Sequence, residues 1–144
     1  MDRSISPAVV VPARVPDGRK ILIVDDQPAV LRVLRTSLEH HGFIVCGEAD
    51  NGIDAIGRAV ATRPDLVILD VAMLGLNGLE VASILQRLLK DVPMILHTIY
   101  GDHVGASFGV VFGVRAIVAK SDGISKLIDC VHSVLKGAPE SDQP

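Results

Sequence analysis

Length, composition and charge restrict the class of protein before any motif is considered. The chain has 144 residues, 49% hydrophobic and 22% charged, a balance typical of one compact soluble domain. Its formal net charge of −3 argues against a general binder of nucleic acid or of anionic membranes. Cys46 and Cys130 are the only cysteines, and because they form no C-x-x-C pair we expect reduced thiols in the cytoplasm.

The two ends of the chain differ from its middle. Prolines interrupt the first eighteen residues, and no apolar stretch of signal-peptide length follows the first positive charges. The run from 104 to 114 is nearly uncharged but too short to cross a bilayer. We therefore expect a disordered leader over 1–18, one folded domain over 19–137 and a flexible tail over 138–144.

Five short apolar runs predict buried β-strands. They are Ile21–Val24, Phe43–Ala49, Leu66–Leu69, Pro93–Thr98 and Ala116–Ala119. Continuous apolar runs, unlike alternating ones, indicate strands covered on both faces, as in a parallel sheet. The gaps between the runs are long enough for crossover helices.

Segments with helical periodicity alternate with these runs. They are Pro28 to about His40, Gly52–Thr62, about Leu79–Lys90, 101–113 and Ile124–Leu135. We expect the second helix to turn Ile53, Ile56 and Val60 inward, and the third to place Leu88 on its apolar face. Five strands and five helices in alternation predict a doubly wound α/β fold of the flavodoxin-like kind, a five-stranded parallel sheet with helices on both faces.

The fourth predicted helix, 101–113, is weak because glycine occurs at every fourth position. Each interior glycine costs a helix roughly 1 kcal/mol relative to alanine. The simpler interpretation is a flexible helix packed on its own sheet. The alternative is that the smooth glycine stripe lets a partner helix approach closely.

Polar side chains follow the predicted strands, at the edge where an open parallel sheet binds its ligands. Asp25 and Asp26 come directly after the first run, and Asp70 follows the third. The fourth run ends at Thr98, and Lys120 follows the fifth. Each residue alone is typical of a cap or a surface charge. Together, on separate strand ends of one sheet, they predict a functional site.

The adjacent aspartates indicate a cation. A buried carboxylate is costly unless it is paired or metal-bound, and neighbouring carboxylates repel each other. Oxygen ligands without histidine or cysteine select a hard cation, Mg²⁺ or Mn²⁺. Because magnesium prefers one or two carboxylates together with phosphate oxygens, such a site is suited to meet a phosphoryl group.

From about Arg19 to Gly137 the chain resembles a response-regulator receiver domain of two-component signalling. The matching motifs, in order, are ILIVDDQP, PDLVILDVAMLGLNGLE, PMILHTIYGD and GVRAIVAKSDG. Glycines 75 and 78 suit the tight loop that follows the third strand.

The resemblance implies a role for each site residue. Asp70 would be the phosphoacceptor, and Lys120 and Thr98 would contact the phosphoryl oxygens. The metal ligands would be Asp25, Asp26, Asp70 and the backbone carbonyl of Ala72. A phosphatase that uses Asp70 as its nucleophile is disfavoured, because the position two residues on, where a general acid would stand, is Ala72.

The resemblance also implies partners. A sensor histidine kinase or a histidine phosphotransfer protein would donate the phosphoryl group. A downstream protein, or a second copy of the chain, would bind the face formed by the fourth predicted helix, the fifth strand and the last helix. We expect no direct contact with nucleic acid or membrane, and no enzymatic activity beyond the chain's own phosphorylation and dephosphorylation. A phosphorylation-independent scaffold stays open as the alternative.

Several positions depart from the family pattern. Ile117 replaces the usual aromatic residue three before the lysine, and Ile99 replaces a small residue after Thr98. These changes predict altered output or acyl-phosphate lifetime more than lost chemistry. His97 fits a packed core histidine better than a phosphate carrier. His40 and His41, at the end of the first helix, suit its dipole and are expected to be solvated.

Overall fold

The computed structural model describes residues 18–73, 75–99 and 113–140. Its strands are β1 (Lys20–Val24), β2 (Ile44–Ala49), β3 (Leu66–Leu69), β4 (Met94–Thr98) and β5 (Val114–Ala119). Its helices are α1 (Pro28–His40), α2 (Gly52–Thr62), α3 (Gly78–Leu88) and α4 (Ile124–Glu140), and a short 3₁₀ turn covers Lys120–Asp122. All five predicted strands are confirmed, as are the first three helices and the last. The fourth predicted helix lies outside the described residues.

The sheet has the strand order β2-β1-β3-β4-β5, and every neighbouring pair is parallel. This confirms the doubly wound, flavodoxin-like fold. The chain passes from β1 to one side to form β2 and then to the other side to form β3. The carboxyl ends of β1 and β3 therefore flank the point where the strand order reverses, which is where such sheets bind ligands.

Two apolar layers cover the sheet. Alternate residues of each strand enter opposite layers, so that Ile21 and Ile23 of β1 pack with α1 and α4, while Leu22 and Val24 pack with α2 and α3. Burial on both faces explains why the strands are continuous apolar runs. In the described part of the chain no helix is long and apolar enough to cross a bilayer.

The prediction of which α2 residues face inward was wrong for two of three. Ile53 is 76% exposed and Val60 is 44% exposed. The buried residues of α2 are Gly52, Ala55 and Ala59. A Cβ at Gly52 would lie 2.6 Å from Leu76 Cβ, so the start of this helix approaches its neighbours too closely for a larger side chain at that position.

The ends of the last two helices also differ from expectation. Leu88, at the end of α3, is 53% exposed instead of lying on the buried face. Helix α4 continues to Glu140, past the predicted end at Leu135 and past the predicted start of the tail at 138. A single glycine lowers helix propensity but does not end a helix whose earlier turns pack on a sheet.

Candidate functional site

Three aspartates from two strand ends meet at the carboxyl edge of the sheet. One carboxylate oxygen from each of Asp25, Asp26 and Asp70 lies within 4.8 Å of the others. Asp25 is 1% exposed and Asp70 is 3% exposed, whereas Asp26 is exposed. The predicted convergence of these three residues is confirmed.

Asp25 is fixed by the backbone around it. Its N–H donates to the carbonyl of Ala49 (3.0 Å), and its Oδ1 accepts a hydrogen bond from the N–H of Gln27 (2.9 Å). Its other oxygen, Oδ2, lies 2.8 Å from Lys120 Nζ. That approach is close but poorly aligned for a hydrogen bond, so the buried oxygen is ion-paired without accepting a well-formed hydrogen bond. Such an oxygen has an unused lone pair for a cation.

Lys120 enters the site from the 3₁₀ turn that follows β5. Its Nζ lies 2.8 Å from Asp25 Oδ2 and 3.4 Å from Asp70 Oδ2, and its side chain is 15% exposed. Burial lowers the pKa of Lys120, but the ion pairs with Asp25 and Asp70 outweigh it and raise the pKa. The residue is therefore held as a cation between two carboxylates.

Asp70 has an environment that favours its neutral form. Burial, and then repulsion from Asp25, raises the pKa of Asp70; Lys120 and the N–H of Ala72 oppose this rise. The Ala72 N–H donates to Asp70 Oδ1 at 3.2 Å. The ionised side chain thus depends on nearby positive charge, which is typical of a reactive group and not of a surface acid.

The start of α3 holds the Asp70 backbone. Gly78 N–H donates to the carbonyl of Val71 (2.9 Å), and a Cβ at Gly78 would lie 2.5 Å from the carbonyl oxygen of Asp70. The position therefore requires glycine. A capping box fixes this helix end, with Asn77 Oδ1 accepting from Glu80 N–H and Glu80 accepting from Asn77 N–H. The N-x-x-E spacing was a sequence signal for this cap that the sequence analysis did not use.

The remaining predicted residues lie on the neighbouring strands. Thr98 is fully buried at the end of β4, in register with Ala119 of β5. Ile99, which follows it, is 63% exposed. Ile117 on β5 is half-buried and packs against the layer under α2 and α3. The structure places Thr98 on the same edge as Lys120 and Asp70, and it leaves the roles of these residues as predictions.

His97 is part of the core, as expected. It is 4% exposed, and its Nδ1 has no hydrogen-bond partner among the described residues. Burial, followed by the nearby charge of Lys120, lowers the pKa of His97 to about 4, although Asp25 opposes the shift. A neutral, enclosed imidazole is unsuited to exchange a phosphoryl group with another protein.

The acidic trio fits a divalent metal ion. Its donors are all carboxylate oxygens, one carboxylate is exposed, and Asp25 Oδ2 is buried without a well-formed hydrogen bond. Hard cations such as Mg²⁺ and Mn²⁺ prefer this donor set. The residues present can therefore hold a metal ion at the carboxyl edge of the sheet.

Comparison with known proteins agrees with the fold. Residues 21–132 match the family described as the response regulator receiver domain. The chain is 36% identical to a transcriptional regulator of Pseudomonas aeruginosa, over 82% of this chain and 57% of that protein. It thus spans a little over half the length of that relative.

Two further relatives are covered almost completely. Protein PilH of Pseudomonas aeruginosa is 33% identical, over 82% of this chain and 98% of PilH. The structure of response regulator TrrA from Thermotoga maritima, in complex with Mg(2+)-BeF, is 30% identical with a TM-score of 0.68, over 81% of this chain and 98% of that one. The chain therefore belongs to the response-regulator receiver-domain family of two-component signalling.

Proposed function

We propose that the chain is a phosphorylation-controlled switch that accepts a phosphoryl group on Asp70 and thereby changes its protein contacts. The donor would be a sensor histidine kinase or a histidine phosphotransfer protein. One observation carries the proposal: a buried Asp70 lies 3.4 Å from Lys120 and within 4.8 Å of two further carboxylates, at the switch point of the sheet.

In the proposed reaction an oxygen of Asp70 forms a bond to phosphorus. The bond between phosphorus and the donor's histidine nitrogen breaks, and its electron pair stays on that nitrogen. Lys120 neutralises the phosphoryl oxygens, and the hydroxyl of Thr98 donates a hydrogen bond to them. Phosphoryl transfer depends on such positioning and charge neutralisation, which these buried groups supply.

Asp25, Asp26, Asp70 and the backbone carbonyl of Ala72 would hold Mg²⁺ or Mn²⁺. A bound divalent ion would neutralise negative charge that the transferring phosphoryl group brings to the acidic trio. Lys120 already balances part of this charge through its contacts with Asp25 and Asp70. The aspartates and the lysine together therefore prepare the site for an incoming anion.

The output of the switch would be a protein contact. Phosphorylation changes the charge and hydrogen bonds around Thr98 and Lys120. The edge strand β5, which pairs with β4 and ends next to Lys120, is only partly buried. A downstream protein or a second copy would bind the face that includes β5 and α4. The chain would act in the cytoplasm, without catalysing turnover of a separate substrate and without contacting nucleic acid or membrane directly.

The direct test is acetyl phosphate labelling of Asp70→Asn in the presence of Mg²⁺. We expect label uptake to be lost, because an amide oxygen is a poor nucleophile towards phosphorus. Asp65→Asn is the matched control, since Asp65 is an exposed acid at the opposite end of β3. Uptake that persists in Asp70→Asn would contradict the proposal.

A phosphorylation-independent scaffold is the second candidate, and Ile117 favours it. This half-buried aliphatic residue stands where the family usually has an aromatic residue that responds to phosphorylation. Beryllofluoride with Mg²⁺ separates the two functions. A switch would show shifts in the amide resonances of Thr98 and Lys120, and a scaffold would show none.

The second-copy version of the output has its own test. Sedimentation at high concentration, with and without beryllofluoride, should show self-association that increases with the phosphate mimic. A chain that stays monomeric under both conditions would leave a different protein as the partner. The apolar, glycine-striped segment that suggested self-association runs from 104 to 118, of which residues 113–118 are described.

A further inference from the structure

Three exposed histidines meet at one corner of the molecule, away from the acidic trio. His40 and His41 lie at the end of α1, and His132 lies on α4. The ring centroids of His40 and His41 are 5.4 Å apart, and those of His41 and His132 are 6.1 Å apart. Residues distant in sequence are thus brought together by the packing of α1 beside α4.

His41 has a tautomer that favours metal binding. Its Nδ1 lies 2.8 Å from the backbone carbonyl oxygen of Ser37. A carbonyl oxygen only accepts hydrogen bonds, so Nδ1 must carry the proton, and Nε2 of the neutral ring keeps a free lone pair. Metal-ligating histidines are held in this way, with one nitrogen donating to a carbonyl and the other facing the metal.

The groups around the three histidines also favour binding of a cation. The ring of His132 lies beside Phe43, with a centroid separation of 5.1 Å. The last carbonyls of α1 place partial negative charge at this corner, because a helix C-terminus is the negative end of its dipole.

The ring separations match those of histidines that share a metal ion. A Zn–N bond of about 2.1 Å puts each ring centroid about 3.3 Å from the metal, so two tetrahedral ligands have centroids about 5.4 Å apart. The observed values are 5.4 and 6.1 Å. In the described part of the chain, however, only the acidic trio already has three ligand atoms within 4.8 Å of one another. The exposed rings of His40 and His132 must therefore turn toward the ring of His41, which stays hydrogen-bonded to Ser37.

We propose that His40, His41 and His132 form a surface site for a transition-metal ion of the Zn²⁺ type, with water completing the coordination. Imidazole nitrogens suit Zn²⁺, Cu²⁺ and Ni²⁺, whereas the oxygen ligands of Asp25, Asp26 and Asp70 suit Mg²⁺. The site would tie the end of α1 to α4 and would be chemically separate from the phosphoacceptor site.

The test is a Zn²⁺ titration of the full chain against a chromophoric chelator. We expect one Zn²⁺ per chain, and a loss of affinity of about tenfold or more in His132→Ala and in His41→Ala. Asp26→Asn and Cys130→Ser are the matched controls, because they remove an acidic-trio carboxylate and the thiol of α4, two residues from His132 in sequence. Both should keep the wild-type affinity.

A second measurement separates metal binding from structural damage. Zn²⁺ should raise the melting temperature of the wild type and of Asp26→Asn, but not that of His132→Ala, since binding to the folded state alone stabilises it. The response of His132→Ala to beryllofluoride should stay that of the wild type. Unchanged Zn²⁺ affinity in both histidine variants, or a loss in Asp26→Asn instead, would overturn the proposal.

Discussion

The two ends of the sheet carry the same residue types in opposite circumstances. At the amino end, Lys20 at the start of β1 lies near Asp65, just before β3. The backbone N–H of Lys20 donates to Asp65 Oδ2 (2.7 Å), and its Nζ donates to the carbonyl of Thr62 (2.7 Å). At the carboxyl end, Lys120 lies 2.8 Å from Asp25 and 3.4 Å from Asp70.

The two ends differ in how deeply their carboxylates are buried and in which groups bind them, not in residue type. Asp65 is exposed and is satisfied by the backbone. Asp25 and Asp70 are nearly fully buried, and they share one ammonium group. An acid–lysine pair becomes a candidate for chemistry when low solvent exposure leaves charge that only a ligand or metal can balance fully.

The largest difference in stability between the two ends is expected when each lysine is replaced by methionine. We expect Lys120→Met to lower the free energy of unfolding by about 3 kcal/mol at neutral pH without divalent ions, because it leaves two buried carboxylates without their cation. Lys20→Met should cost about 1 kcal/mol or less, since it removes a single hydrogen bond. Urea unfolding of both variants is the measurement, and equal losses would show that the two ends are energetically alike.

A second pair of substitutions tests how the backbone at the end of β3 is held. Gly78→Ala should cost about 2 kcal/mol and reduce labelling of Asp70, because its Cβ would lie 2.5 Å from the Asp70 carbonyl oxygen. Gly57→Ala in α2 is the control, since a Cβ there meets nothing within 4 Å. It should stabilise the protein by up to about 1 kcal/mol. Thermal unfolding with the labelling assay measures both effects, and a harmless Gly78→Ala would contradict the close approach.

The pH dependence of stability should differ between the two ends. Burial and Asp25 raise the pKa of Asp70 above its ordinary 3.8, so the folded state holds a proton there more tightly than the unfolded state does. The free energy of unfolding should therefore fall as the pH rises from 3.8 to the raised pKa of Asp70 in the folded state. At pH 7 the ionised Asp70 destabilises the folded state. We expect Asp70→Asn to be more stable than the wild type at pH 7, with the gap closing below pH 3.8.

The control for this pH prediction is Asp65→Asn. Its exposed carboxylate accepts a backbone hydrogen bond, so replacing it by an amide should not raise the free energy of unfolding at pH 7. Urea unfolding of the three proteins across pH, without divalent ions, decides the matter. A wild type more stable than Asp70→Asn at pH 7 would mean that Lys120 outweighs burial.

The smallest effect on stability is expected at Ile99, beside the buried site. Ile99→Ala should change the free energy of unfolding by no more than about 0.5 kcal/mol, because the side chain is 63% exposed. It should shorten the lifetime of the acyl phosphate by opening the path for water to Asp70. Ile53→Ala, at a position 76% exposed on α2, is the control and should leave the lifetime unchanged. Release of phosphate after labelling measures both, and equal lifetimes would remove Ile99 from the access path.

Local sequence predicted the elements because each carries its own signal. The continuous apolar runs gave the five strands, and Pro28, Gly42 and the apolar spacing between them gave α1. The packing face of α2 was not predictable in this way, because Ile53 and Val60 point outward while the small residues Gly52, Ala55 and Ala59 are buried. That choice depends on how closely α2 approaches its neighbours.

The sequence by itself determined the alternation of strands and helices, and with it the edge to which Asp25, Asp70, Thr98 and Lys120 belong. It did so because apolar periodicity and strand-end position are local properties of the chain. Only the tertiary structure decided that one ammonium serves two buried carboxylates, that Gly78 touches the Asp70 backbone, and that His41 meets His132. The contacts of Lys120 and of His41 join segments far apart in sequence, and the contact of Gly78 joins the two ends of the loop between β3 and α3. Their distances are set by packing across the sheet and between helices.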